Sequence, residues 1–248
     1  MKHFFFTLAL CFSVHICTIH ADDIIVPTDD YPPWKITENG QVTGGIDILI
    51  ITALLDGLDL TPLYTTGPWK RCLLMMEQSS GDLISGVTLN SLRQKYLTYL
   101  RPPYKTNSTK ILYVRRGNGT SYQSLSDLEQ KCIGILRGGK YFPSFDQNPA
   151  IFKTHVDSDL QGLLMLAAGR LDGFLITKEN GEYLLQKHPE TFESLEKALW
   201  SYDKDIEVYF AISKDSILMS RKHELESRLQ HLVESGKVDE IIDGFVYN

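Results

Sequence analysis

The chain has 248 residues, 25 of them basic and 31 acidic, for a formal charge of −6 at pH 7. An acidic chain without a basic cluster argues against nucleic acid and anionic lipid surfaces as partners. Removing a leader of 21 residues leaves 227, enough for one large domain or two small lobes.

The chain opens with "MKHFFFTLALCFSVHICTIHADD". Lys2 precedes an apolar run over 4–19, and Ala21 stands before the first acidic residues, the pattern of a cleaved secretory leader. The run is short of the ~20 residues that a membrane span needs, and His15 interrupts it. Cleavage is expected after Ala21. Residues 1–21 hold one Lys and no acid, so the exported chain carries −7 instead of −6.

"DIIV" at 23–26 then reads as a strand, ended by "PTDDYPPW". Residues 45–55 read as a helix and 60–64 as a second strand. "PWKRCLLMMEQ", 68–78, starts a helix with Pro68 near its first turn, where proline is tolerated. "SSGDLISG" turns into a strand, and Arg93 falls in the first turn of a further expected helix. Unpaired N–H groups already make such a turn partly positive, so a guanidinium there calls for an anion. This alternation argues an α/β fold with a largely parallel sheet.

The same grammar recurs downstream. Residues 131–136 read as a strand, "RGGKYFPSF" as a Gly-rich loop, and 154–156 as a short strand. Ser158 with Gln161 forms a capping box for a helix over 159–168. "CLLMMEQSSGDLISG" and "GLLMLAAGRLDGFLI" both run from an apolar helix through glycine and aspartate into a buried strand, which points to two lobes built alike. Connections between them are expected as short strands near 107–114 and 203–210. The tail from Leu218 onward reads as an amphipathic packing helix, with Leu225, Leu229, Leu232 and Val233 at helical spacing.

Catalytic patterns are missing: there is no G-x-S-x-G, HExxH, Walker loop or GxGxxG. What remains suits a small polar molecule. Gly86 ends a strand and lets a ligand approach the backbone. Thr88 supplies a hydroxyl, Asn90 or Ser91 can cap the next helix, and Arg93 offers a fork that grips a carboxylate. Pairing of Arg93 with a nearby Asp82 is the alternative. Tyr31, Trp34 and Trp69 sit in strand-end loops, where aromatics either pack or bind. "RGGKY", 137–141, offers backbone N–H groups and Lys140.

Together these residues resemble the bacterial extracellular solute-binding proteins of family 3, the polar-amino-acid type. "TDDYPPW" (28–34) is similar to the family's opening strand-end motif, and "GGIDILIITALLDGL" (44–58) to its first helix. "PWKRCLLMMEQSSGDLISGVTLNSLRQKYLTYLRPPY" (68–104) resembles its most diagnostic block, and "GRLDGFLITKENGEYLL" (169–185) its second-lobe segment. The resemblance implies an α/β, two-lobed periplasmic binding protein fold of type II with two hinge strands. Lobe 1 would span 22–108 and 207–248, and lobe 2 would span 109–206.

It also implies that Thr88 and Arg93 hold a ligand carboxylate, that Gly86, Tyr31 and Trp69 line the cleft, and that Gly139 and Lys140 contribute from the opposite lobe. Cys72 and Cys132 would then lie in different lobes as separate thiols, since a bridge would lock the hinge. One departure stands out. Five residues after the G-x-x-D aspartate, here Asp172, the amino-acid binders usually place an aspartate for the ammonium; this chain has Thr177. Glu179, Asp29 or Asp30 replaces it, or the ligand is not an ordinary α-amino acid.

The expected function is a monomeric periplasmic receptor that captures a small carboxylate-bearing solute and delivers it to an ABC-type permease, without a cofactor. Two rivals share the fold: an exported dehydratase-like enzyme, for which Tyr31, Glu179 and Lys140 would be candidates, and a sensing module for a membrane partner.

Overall fold

The computed structural model describes residues 22–246. The expected leader, 1–21, and the last two residues lie outside the described residues. The first run of elements is β1 (Asp22–Thr28), β2 (Ile36–Glu38), β3 (Gln41–Gly44), α1 (Ile46–Leu55), β4 (Leu60–Thr66), α2 (Trp69–Glu77), β5 (Leu83–Val87) and β6 (Leu97–Tyr99). The second is β7 (Lys110–Arg115), β8 (Cys132–Leu136), α3 (Pro143–Asp146), β9 (Phe152–Val156), α4 (Asp159–Ala167), β10 (Gly173–Thr177), α5 (Lys178–Lys187) and β11 (Leu195–Tyr202). The chain then returns to the first group with β12 (Tyr209–Ser213), α6 (Lys222–Glu234) and α7 (Lys237–Val246).

These elements build two bodies. In the first, β1 pairs in parallel with β4, and β12 lies between β5 and β6. α1 packs with α6 and α7 over one face, through Ile50, Leu54, Leu225 and Leu229. α2 covers the other face with Cys72, Leu73 and Met76. In the second body, one five-stranded sheet has the order β11-β7-β10-β8-β9. Leu163, Leu166 and Leu184 of α4 and α5 cover one side of it, and Phe145 of α3 with Leu128 and Tyr122 the other.

A sheet buried on both faces explains why β5, β8 and β10 read as unbroken apolar runs instead of alternating ones. The likeness of the two halves has a concrete form at two aspartates. Asp82, at the head of β5, accepts the Ile25 N–H at 2.8 Å; Asp172, at the head of β10, accepts the Cys132 N–H at 2.8 Å. Asp172 thereby ties β10 to its parallel neighbour β8, and Asp82 ties β5 to β1, which belongs to a separate sheet. Asp82 also accepts the Ser216 hydroxyl at 2.6 Å, so it has no part in pairing Arg93.

Four sequence expectations are corrected. The sheets are mixed, not largely parallel: β7, β11 and β12 all pair antiparallel to their neighbours. β7 and β12 each enter their sheet after the chain has crossed between bodies, with no helical crossover to impose parallel direction. Second, 203–207 is not strand. Asp203, Lys204 and Asp205 are exposed there, and the two crossings touch as strands only at the bridge between Lys105 and Val208.

Third, the helix expected at Arg93 is a single 3-10 turn, Arg93–Lys95, cut short because Leu97 already joins β6 against β12. The macrodipole of a full helix is therefore absent from that position. Fourth, the tail breaks at Gly236, whose φ of +75° ends α6 and redirects α7. Cys72 is buried in the first body, Cys132 lies in β8 of the second, and both thiols are free.

Candidate functional site

The ends of β1, β4 and β5 in the first body and of β8 and β10 in the second face one cavity, with about 770 Å³ of atom-free space that includes its open mouth. From the first body, Tyr31, Trp69, Gly86, Thr88 and Arg93 line it. From the second come Gly139, Lys140 and Thr177. Trp34, considered only as packing or wall, lines it as well and is 4% exposed.

Local sequence explains the geometry. After β1 the chain turns back on itself, with the Trp34 and Lys35 N–H groups both donating to the Tyr31 carbonyl at 3.0 Å. That turn carries Tyr31 and Lys35 to the cavity. In β5, Gly86 has φ +76° at a bulge where three steps on β5 oppose two on β12. The Asn90 side chain accepts the Leu92 N–H at 2.9 Å and the Arg93 N–H at 3.3 Å, which fixes the turn that presents Arg93. Ser158 caps α4 by accepting the Gln161 N–H at 3.2 Å, while the Gln161 side chain reaches Asp157 and not its own cap residue.

Arg93 is 6% exposed. It stacks 5.7 Å from the Trp69 ring and donates to the Gly138 carbonyl of the second body at 3.0 Å. Among the described residues it has no carboxylate partner. Burial lowers its pKa. The Gly139 N–H is not free for a ligand, because it closes a turn onto the Leu136 carbonyl at 3.0 Å. Lys140 stands exposed at the rim.

The sequence reading missed several lining groups. Lys35, 3% exposed, donates to Asp29 at 2.5 Å and lies 5.0 Å from the Trp69 ring. Burial alone would lower its pKa, but Asp29 and then Asp47 outweigh that and raise it. Asp47, wholly buried on α1, accepts the Tyr104 hydroxyl at 2.9 Å and leaves its other oxygen unpartnered. Burial raises its pKa. Lys105 pairs with Glu179 at 2.7 Å and lies over the Trp34 ring at 4.2 Å.

Lys110 and Asp159 complete the far wall. Lys110 donates to Ser108 Oγ at 2.9 Å and to Thr177 Oγ1 at 2.7 Å, and has no ion pair among the described residues. Burial first, and the charge of Lys105 second, push its pKa down to about 8. Asp159, at the start of α4, accepts the Asn180 side-chain N–H at 3.2 Å. Burial, with Asp29 nearby, pushes it up to about 7. A lysine heading the apolar strand "KILYV" was a legible oddity. Lys35 and Asp159 sat among polar loop residues with nothing to distinguish them.

Among the described residues no group of three or more His, Cys, Asp or Glu side chains could hold a metal ion, and no helix is long and apolar enough to cross a membrane. The arrangement can grip an anion with buried donors from both bodies and wall it with aromatic rings.

Comparison with known proteins bears on the family and the fold. The family model for bacterial extracellular solute-binding proteins, family 3, matches residues 24–248. An arginine-binding periplasmic protein of Mannheimia haemolytica is 26% identical over 137 residues, 51% of this chain and 58% of that protein. The chain thus aligns with little more than half of that relative's length. A mutant of ArgBP from T. maritima superposes with a TM-score of 0.77 at 20% identity, over 91% of this chain and 96% of that one. An amino acid ABC transporter substrate-binding protein of Streptococcus pneumoniae, bound to L-arginine, does so at 0.75 and 22%, over 91% and 94%. The chain belongs to the bacterial extracellular solute-binding proteins of family 3, and its fold is the two-lobed α/β fold of type II periplasmic binding proteins.

Proposed function

We propose that this family member captures a small, carboxylate-bearing, amino-acid-like solute between its lobes and delivers it to an ABC-type importer. The observation that carries the reading is Arg93. A guanidinium taken out of water without a counter-charge is costly unless a ligand supplies one. Trp69 lies against it and the Gly138 carbonyl meets it from the other lobe, while Thr88, Gly139, Lys140 and Thr177 line the same cavity. Lobe 1 is assigned to 22–108 and 207–248 and lobe 2 to 109–206, with the Lys105–Val208 bridge marking the hinge. Contacts made only in the closed form set affinity, and the solute shifts the open–closed equilibrium by making them.

The protein works as a monomer in the periplasm after removal of residues 1–21, and by binding, not turnover. Arginine, the ligand named for several relatives, is one candidate within the amino-acid-like class. A thermal-shift screen of the purified protein against amino acids, amines and organic acids tests the reading. A true ligand at a hundredfold excess over its Kd adds about 2.7 kcal/mol of stability. A stabilising hit that Arg93→Ala abolishes supports solute capture; no hit across the panel sinks it.

A further inference from the structure

The cavity is lined by five cationic side chains and three carboxylates. Lys35 is taken by Asp29, and Lys105 by Glu179 just behind the wall. Lys140 stands exposed at the rim. Arg93 and Lys110 remain, 6% and 7% exposed, without an ion pair among the described residues: Arg93 donates to the Gly138 carbonyl and Lys110 to the Ser108 and Thr177 hydroxyls, and the charges of Glu179 and Asp159 only partly offset the burial of Lys110. They come from different lobes, so a ligand bridging the lobes meets both.

The carboxylates give an ammonium little purchase. Asp29 is neutralised at 2.5 Å, and Asp47, wholly buried, takes one bond from the Tyr104 hydroxyl and keeps its other oxygen unpartnered in the field of Lys35. Asp159 shares its wall with Lys110 and already accepts from Asn180. Thr177 offers a hydroxyl already engaged with Tyr31 and Lys110.

We infer that the solute carries two acid groups, one seated on Arg93 and the other on Lys110, and needs no ammonium. The inference rests on the solute-capture reading and names its substrate class. Two buried cations that line one cavity without an ion pair are costly unless an anion of matching charge joins them. A cationic or zwitterionic ligand leaves one of them unpaired. Asp159, pushed up to about 7 by burial, is about half protonated at pH 7, and its protonated form can donate to the second acid group.

Isothermal titration of the purified protein separates the possibilities, with succinate, glutarate, glutamate, butyrate, glutamine and arginine as probes. The expected result is that a dicarboxylate binds at least tenfold more tightly than butyrate, glutamine or arginine. Lys110→Met and Arg93→Met should each weaken it by about 30-fold or more, as truncation of a buried charge pair does. Thr177→Asp, which sets a carboxylate beside Lys110, is a second variant should Lys110→Met fail to fold; it should weaken the dicarboxylate at least tenfold. Tightest binding by glutamine or arginine, sensitive to Arg93 but not to Lys110, overturns the two-acid inference and leaves solute capture standing. Dicarboxylate affinity unchanged in Thr177→Asp overturns it as well. Binding by no member of the panel overturns both readings.

Discussion

The Tyr31 hydroxyl and the Thr177 hydroxyl, 146 residues apart in sequence, lie 2.5 Å from each other across the cleft. Tyr31 leaves the end of β1 and Thr177 the end of β10, so this bond ties the two bodies together at the wall of the cavity. Tyr31→Phe removes it while Thr177 keeps its bond from Lys110. Loss of one neutral hydrogen bond, about 1 kcal/mol, should weaken the solute by roughly fivefold. Small-angle scattering should show a more open ligand-free protein, and an unchanged profile with unchanged affinity would count against this bond as a closure contact.

Arg93→Ala should reduce solute affinity by about 30- to 1000-fold, or 2–4 kcal/mol, because a carboxylate then loses its partner in a dry cleft. Arg93→Lys should recover only part of this, since an ammonium cannot reproduce a bidentate fork. Titration calorimetry on the two variants, with melting curves to confirm folding, reads both.

Lys110 predicts how stability depends on pH. Its folded pKa of about 8 lies below the unfolded value, so its contribution is present above about pH 10.5 and is lost as pH falls through 8. The loss is on the order of 3 kcal/mol for the ligand-free protein. Lys110→Met should flatten that limb in denaturant unfolding between pH 8 and 10. Asp159 has the opposite sign. Raised to about 7, it contributes stability that is present below about pH 4 and lost as pH rises through 7, and Asp159→Asn should remove that slope.

Proton linkage to binding follows from the same two groups. An anion brought into the cleft raises the pKa of both, so solute binding should take up protons between pH 7 and 9. Calorimetry in two buffers of different ionisation enthalpy measures the count. Proton release on binding would contradict an anionic ligand at this wall.

Two glycines separate cleft from core. At Gly86 an added Cβ would sit 3.5 Å from Lys35 Nζ, an ordinary contact, so Gly86→Ala should cost about 1–2 kcal/mol through its φ of +76° alone. At Gly162 the same atom would lie 2.1 Å from Phe174 Cε2. Gly162→Ala should lower the melting temperature by overpacking worth about 1–3 kcal/mol, with affinity intact in the folded fraction. Melting curves with and without solute distinguish the two.

Most elements were legible because their causes are local. α1 follows from a ten-residue apolar run, α2 from apolar residues at helical spacing with Pro68 just before Trp69, and α4 from Ser158 as its cap. β5 and β10 follow from apolar runs entered through Gly and Asp. The strand directions were not legible, because β7 and β12 take theirs from the side on which the chain re-enters each sheet. The turn at Arg93 was read too long, since the claim of β12 on Leu97 is a contact between distant segments.

The sequence alone determined which donors were available: a glycine that admits a bulge, a cap at Asn90, aromatics after the strands, and the absence of an aspartate at Thr177. The tertiary structure decided which charges cancel. Lys35 neutralises Asp29 only because the turn after β1 folds it back, and Lys105 finds Glu179 across 74 residues. Arg93 and Lys110 are left without an ion pair among the described residues, because the carboxylates that act on them, Asp146 for one and Glu179 and Asp159 for the other, stay beyond bonding distance. Charge pairing in a cleft is set by distance and dielectric, and both exist only once the chain has folded.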